Sequence, residues 1–208
     1  MKAGASSMMW IFGVFWAGAA SAADVGAAEH IRLSGDMDQL ASRQLWNGVE
    51  RKFLELEKLG VDLTYQDLLN GAYAARGLGN MSSAYDRLRV AATLDGTREV
   101  IDWLSSIDTN YGPVELVCTP PRDAALSSAE TPFDPDQRLA VEYASATVRK
   151  EGTFKGLLPR GEYTFSGHTF RVEPGIATRI DASPRLKKTT GIVISSQPVV
   201  PDGATPTP

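Results

Sequence analysis

Residues 68–94 constrain the fold of this chain more than any other stretch, because their apolar positions recur at helical spacing. Two short amphipathic helices are predicted, joined by a corner at Gly79 and Asn80. Small residues such as Ala72 and Ala75 stand where the two helices must touch. The stretch therefore predicts an antiparallel helical hairpin at the centre of a small bundle.

Two more helices are predicted to flank this hairpin. The first covers about residues 36–59 and ends at Gly60, which suits the left-handed position after a helix. The other is capped by Thr97 and turns Val100, Ile101, Leu104 and Ile107 inward. The predicted helical domain of about four helices spans residues 36–110. Arg87 and Arg89, on its third helix, are expected to be surface charges.

The N-terminus has the pattern of a signal peptide. Lys2 precedes the uncharged apolar run 8–20, and Ala20-Ser21-Ala22 fits the small-residue rule for cleavage. The run is shorter than the roughly 20 residues of a membrane span. We predict a signal peptide over 1–22, a flexible leader over 23–35, and a periplasmic or secreted protein whose membrane contact is only through the cleaved peptide. An uncleaved anchor helix is the alternative.

A change of pattern after residue 110 predicts a β domain over residues 111–183. Strands are expected at 114–118, 138–149 and 176–180, and residues 161–172 alternate around Ser166-Gly167 as in a hairpin. The predicted fold class is α+β, with the helical bundle followed by a small antiparallel β-sandwich. Residues 184–208 are rich in Pro, Thr and Gly and are predicted to be a disordered tail.

Composition excludes several classes of function. The net charge is −4 and no basic stripe occurs, which argues against nucleic acid as a partner. Cys118 is the single cysteine, so no internal disulfide can form, and a buried inert thiol is expected. His30 and His168, the only histidines, fall in the predicted leader and a hairpin turn. We therefore expect no metal, no cofactor and no catalysis, although a triad assembled across the fold keeps an enzyme as a third alternative.

The pattern of small and large residues within 68–96 resembles a tetratricopeptide repeat. The matching positions are Gly71, Ala72, Ala75, Gly79, Ala84, Leu88 and Ala91. In that family, small residues let paired helices pack closely and neighbouring repeats stack. This chain departs from the pattern at Leu68, which takes the usual aromatic position, and at Gly96, which replaces a proline. Its glycine also falls one residue early, and only one repeat unit is visible. An ordinary helical bundle is the alternative.

The resemblance implies a binding groove, because the first helix of a tetratricopeptide pair lines the concave face. Carried over by position, that groove is lined by Gln66, Leu69, Tyr73 and Arg76. Tyr and Arg are common in interface hot spots. The implied partner is another envelope protein or a peptide. The alternative is a solvated helix face on which Tyr73 is half-packed.

Residues 157–163 and 170–175 resemble a PEGA-type surface module, a small β-sandwich of bacterial envelope proteins, and the resemblance covers about residues 112–182. Both resemblances together imply a non-catalytic interaction or scaffolding protein of the bacterial cell envelope. The alternative is a β module that binds peptidoglycan or another polymer, with a helical adaptor. Exposed aromatic residues on one β face would favour the glycan, and a groove lined by Tyr and Arg would favour the peptide.

Overall fold

The computed structural model describes residues 18–130 and 134–183, with side chains from Val25 onward. The helices are α1 (Gly18–Ser42), α2 (Trp46–Leu59), α3 (Tyr65–Gly77), α4 (Met81–Leu94), α5 (Arg98–Asn110) and α6 (Pro135–Glu151). The strands are β1 (Tyr111–Val117), β2 (Leu126–Ser128), β3 (Thr153–Pro159), β4 (Gly161–Phe165), β5 (His168–Val172) and β6 (Thr178–Asp181). The predicted α+β class is confirmed.

Helix α1 corrects the prediction of a flexible leader over residues 23–35. Leu33 and Met37 lie one helical turn apart and are buried against α2 and α3, in a cluster that includes Phe53. The Asp67 carboxylate on α3 also forms hydrogen bonds with α1, to His30 Nε2 at 2.8 Å and to Ser34 Oγ at 2.6 Å. Leu33 and two hydrogen bonds thus hold the segment predicted to be a flexible leader, next to the buried Met37.

The helix predicted over residues 36–59 is two helices. α1 ends at Ser42 and α2 begins at Trp46, and Gln44 between them has a φ of 55°. Residues 1–17 of the predicted signal peptide lie outside the described residues, as do residues 184–208 of the predicted tail. No helix in the described part of the chain is long and apolar enough to span a membrane.

The α3–α4 hairpin forms as the sequence predicted. Thr64 and Asp67 make a reciprocal capping box at the start of α3, and the Asn80 side chain accepts a hydrogen bond from the amide of Ser83 in α4. Gly79 turns the corner at a φ of +80°, where a Cβ would lie 2.2 Å from the Leu139 carbonyl oxygen of α6. The corner therefore depends on glycine for its backbone angle and for the close approach of α6.

Two details of the bundle differ from prediction. Arg87 is buried, not a surface charge: it donates to Glu50 of α2 and, at 2.7 Å, to the carbonyl oxygen of Gly71. Its guanidinium carbon lies 3.9 Å from the centroid of the Phe53 ring. On α5, Ile101 is exposed although the pattern turned it inward, whereas Val100 and Ile107 of the same helix are buried.

The β half contains two three-stranded sheets in the described residues, with strand orders β3-β1-β6 and β2-β4-β5. The predicted hairpin is confirmed as β4–β5, with Tyr163 opposite Phe170. β6 runs parallel to β1, so the first sheet is mixed rather than wholly antiparallel.

Residues 138–149, predicted as strands, belong to helix α6. Ala140, Ala144 and Val148 are buried at a spacing of four residues, which places them on one helical face. Asp134 caps the helix by accepting from the amide of Asp136, and Pro135 occupies its first turn. The apparent alternation of residues 139–148 was therefore a helical pattern of small residues.

Two cores connect the elements of the β half with each other and with the bundle. One contains residues of both sheets and α6, including Leu116, Phe165 and Val148, and it also buries Cys118 as expected. The other joins helices α3–α5 to Tyr111 of β1 and Ala140 of α6. The helical and β halves therefore share apolar surface.

Candidate functional site

The structure divides the four residues predicted to line one groove. Gln66 is exposed and, with Tyr73, borders a cavity beside α1 and α2. Arg76 borders a different cavity, next to α5 and α6. Leu69 is half-buried against the core of α3–α5 and lines neither cavity. The face of α3 is thus partly covered by elements of the same chain.

Tyr73 is held by α5. Its hydroxyl donates a hydrogen bond of 2.7 Å to Glu99 Oε1, and its ring centroid lies 5.0 Å from that of Trp103. Burial, together with the hydrogen bond to the Glu99 carboxylate, raises the pKa of Tyr73 to about 12. The hydroxyl therefore stays protonated and acts as a donor near neutral pH.

Arg76 is held between α5 and α6. Its Nε donates to Asp136 Oδ2 at 2.6 Å, and its guanidinium carbon lies 5.1 Å from the Trp103 ring centroid. Tyr73, Trp103 and Arg76 form a continuous surface that we call the aromatic–arginine strip. Trp103 was not among the predicted site residues, because it lies outside the inward positions predicted for its helix, which are Val100, Ile101, Leu104 and Ile107.

Two cavities flank the strip. The first, which we call the bundle cavity, has a volume of about 470 Å³. Its lining comes from α1, α2, α3 and the turn between α1 and α2: Asp38, Ala41, Ser42, Gln44, Trp46, Gln66, Asn70 and Tyr73.

The second, which we call the junction cavity, has a volume of about 260 Å³ and lies where α3, α4, α5, β1 and α6 meet. Its lining is Arg76, Met81, Trp103, Ser106, Ile107, Asn110, Tyr111, Asp134, Asp136 and Gln137. Tyr111 forms a buried wall of this cavity. Burial and then the negative charges of Asp134 and Asp136 raise the pKa of its hydroxyl well above the ordinary value.

A wider cavity of about 900 Å³ lies in the β half, beside the start of α6. It carries both signs of charge, with Glu130 and Glu162 facing a space also lined by Arg160 and Arg171. Every aromatic side chain on the described strands is buried, including Phe154, Tyr163, Phe165 and Phe170. Those strands therefore offer no exposed ring on which a sugar could stack.

The two histidines serve no common site. His30 is bonded to Asp67 in the bundle, whereas His168 is exposed at the start of β5, opposite Phe165 in the hairpin. Within residues 18–130 and 134–183, no group of three His, Cys, Asp or Glu side chains is placed to hold a metal ion.

Comparison with models of known protein families, with curated proteins and with solved structures finds no match to this chain.

Proposed function

We propose that this is a non-catalytic interaction or scaffolding protein of the bacterial cell envelope, which binds another envelope protein or a peptide. The observation that carries the proposal is the aromatic–arginine strip, which runs between the bundle cavity and the junction cavity. Trp, Tyr and Arg are the residue types most enriched in interface hot spots, because they combine apolar area with directional hydrogen bonding.

The exposure of the strip supports this role. The Arg76 side chain is 39% exposed, and Tyr73 and Trp103 are each half-buried. Glu99 and Asp136 hold Tyr73 and Arg76 in place, which lowers the entropy lost when a partner orders them. A partner laid along α3 would contact a rigid surface with a depression at each end.

We also propose that α3 and α4 are a tetratricopeptide-like pair and that α5 is the helix stacked on it. Two observations support this: the helices have similar lengths, 13 and 14 residues, and Ala72, Ala75 and Ala84 are fully buried between them. Gly71 allows Phe53 of α2 to approach, because a Cβ there would lie 2.4 Å from its ring. The strip would then lie on the concave side of the pair.

For residues 111–183 we propose a PEGA-like module whose two sheets face each other as a small β-sandwich. The core shared by both sheets, with Leu116 of β1 and Phe165 of β4 in one cluster, supports this arrangement. Export through the predicted signal peptide would place the protein in the periplasm or outside the cell. A glycan-binding role for this module has less support, because the aromatic residues on its strands are buried.

Photo-crosslinking in the bacterium that makes the protein tests the proposal. A photoreactive amino acid at the exposed position 66, at the edge of the bundle cavity, should give a defined protein adduct in the periplasmic or secreted fraction. The same amino acid at the exposed position 149 of α6 is the matched control and should not.

The adduct at position 66 should be lost when Trp103→Leu, which keeps an apolar side chain, removes the ring of the strip. Arg76→Gln is a second variant in case Trp103→Leu disturbs the fold, which circular dichroism would detect. Equal adducts at positions 66 and 149, or an adduct that both variants leave unchanged, would contradict a binding role for the strip.

A further inference from the structure

Tyr111 presents an unused hydroxyl to the junction cavity. The residue is only 7% exposed, and its hydroxyl has no hydrogen-bond partner among the described residues. No fully buried side-chain nitrogen or oxygen in the described residues lacks a partner, so this hydroxyl keeps its access through the cavity. The hydroxyl can donate or accept a hydrogen bond, so a group that enters the cavity can bond to it in place of water.

The charges around the cavity are unequal. The carboxylates of Asp134 and Asp136 face one guanidinium, that of Arg76, and Arg76 is already committed to Asp136. Asp134 uses Oδ1 to accept from the amides of Asp136 and Gln137, at 2.8 and 3.4 Å. No basic side chain in the described part of the chain pairs with Asp134. Among the described residues Asp134 therefore makes no ion pair, and it also borders the wider cavity that Arg160 and Arg171 line.

The remaining lining suits a long basic side chain. Trp103, Met81 and Ile107 provide an apolar wall along which methylene groups can lie. Asn110 donates through Nδ2 to the Ser106 carbonyl oxygen at 2.9 Å, which leaves its amide oxygen as an acceptor. The volume of about 260 Å³ is below that of ordinary small-molecule pockets, so it fits one side chain better than a cofactor.

We infer that the junction cavity binds a lysine or arginine side chain of the partner polypeptide. Its cationic group lies against the Asp134 carboxylate and the Tyr111 hydroxyl oxygen, and its stem lies along Trp103. An acidic side chain is disfavoured, because it would meet two carboxylates while the nearest cation is already paired. This inference rests on the proposed function, since it specifies which group of the partner enters the cavity next to the strip.

Titration of the full ¹⁵N-labelled chain with three blocked pentapeptides tests it. The peptides have the sequence Gly-Gly-X-Gly-Gly, with X as Lys, Glu or Leu. The Lys peptide should shift the indole resonance of Trp103 and the side-chain amide resonances of Asn110 and Gln137, with saturation in the millimolar range. The Glu and Leu peptides should leave them in place. Equal shifts with the Glu or Leu peptide, or no shift with the Lys peptide, would overturn the inference.

Asp134→Asn removes the charge but keeps a good N-cap residue, so α6 should remain folded. It should weaken binding of the Lys peptide about tenfold or more, because the ammonium group then faces a neutral amide instead of a carboxylate. Tyr111→Phe should weaken it by a smaller factor. Glu142→Gln, on the exposed face of the same helix, removes one negative charge away from the cavity and should have no effect.

Equal weakening by Glu142→Gln would mean general attraction to an acidic protein and would overturn the cavity assignment. The two proposals can fail separately. If a partner crosslinks at position 66 but the Lys peptide does not bind selectively, the inference about the cavity is wrong and the proposed function stands. Absence of a specific crosslink at position 66 in the chain with an unaltered strip would contradict the proposed function.

Discussion

Arg87 has the most buried positive charge described in this chain, and three contacts offset the loss of its hydration. Nη1 and Nη2 reach the two carboxylate oxygens of Glu50, at 2.5 and 2.8 Å, in the bidentate geometry that favours strong pairing. Nη1 also donates to the Gly71 carbonyl oxygen, and the guanidinium lies over the Phe53 ring. The side chain thereby ties α4 to both α2 and α3.

Removing this side chain should be strongly destabilising. In Arg87→Ala, Glu50 and the Gly71 carbonyl oxygen lose their partner, and breaking a buried ion pair in this way costs about 3–5 kcal/mol. Arg89→Ala, on the exposed side of the same helix, should change the unfolding free energy by less than about 1 kcal/mol. Urea unfolding of both variants measures the difference. Similar values for the two would show that the buried pair contributes little.

Single residues were predictable from sequence where their partners are near in the chain. Gly79 and Asn80 are adjacent in the chain, and the pattern predicted the corner that they form between α3 and α4. Arg87 was misassigned because Glu50 lies 37 positions away. For the same reason, nothing in the sequence showed that Asp67 also accepts from His30 and Ser34 of α1.

For whole elements too, those formed by local contacts were predicted and those that depend on distant contacts were not. The α3–α4 hairpin and the β4–β5 hairpin were predicted because each closes through a local turn. The part of α1 predicted as a leader, residues 23–35, was missed because few apolar residues mark it. Helix α6 was misassigned because alanines gave its buried face a weak pattern. The resemblance implied a groove lined by residues of α3, and it gave no sign that α5 and α6 bond to Tyr73 and Arg76.

If α1 packs against the bundle, its buried and exposed residues should contribute unequally to stability. Leu33 is 2% exposed and Ile31, two residues earlier, is 74% exposed. Leu33→Ala should lower the unfolding free energy by about 2–5 kcal/mol, the usual cost of emptying a leucine site in a core. Ile31→Ala should change it by about 0.5 kcal/mol or less. Thermal or urea unfolding of the full chain measures both. Equal, small effects of the two substitutions would instead support the prediction that residues 23–35 are a flexible leader.

At the scale of the whole molecule, the helical and β halves share a core, because Tyr111 and Ala140 pack with α3–α5. Gly79 adds a backbone contact between the helical corner and α6. The Ser82 hydroxyl also accepts from the amide of Leu157 in β3, at 2.8 Å. The sequence predicted a domain boundary near residue 110, and the turn-rich sequence there gave no sign of these long-range contacts.

The shared core predicts that both halves unfold in one cooperative transition. Trp46 and Trp103 report on the helical half once Trp10 and Trp16 are replaced by Phe, and the thiol of Cys118, buried in the β core, reports on the other half. Tryptophan fluorescence and reaction of the thiol with a disulfide reagent should give the same urea midpoint.

A pair of glycine variants tests the same cooperativity from the junction between the halves. Gly60 and Gly79 both have a positive φ, so alanine strains the backbone at either position by about 1–2 kcal/mol. Only at Gly79 would the new Cβ also collide with α6; at Gly60 nothing lies within 4 Å. Gly79→Ala should therefore lower both midpoints together, and by more than Gly60→Ala does. A Cys118 thiol that reacts before the fluorescence changes would show instead that the β half opens independently, and the contacts across the junction would then be too weak to couple the two halves.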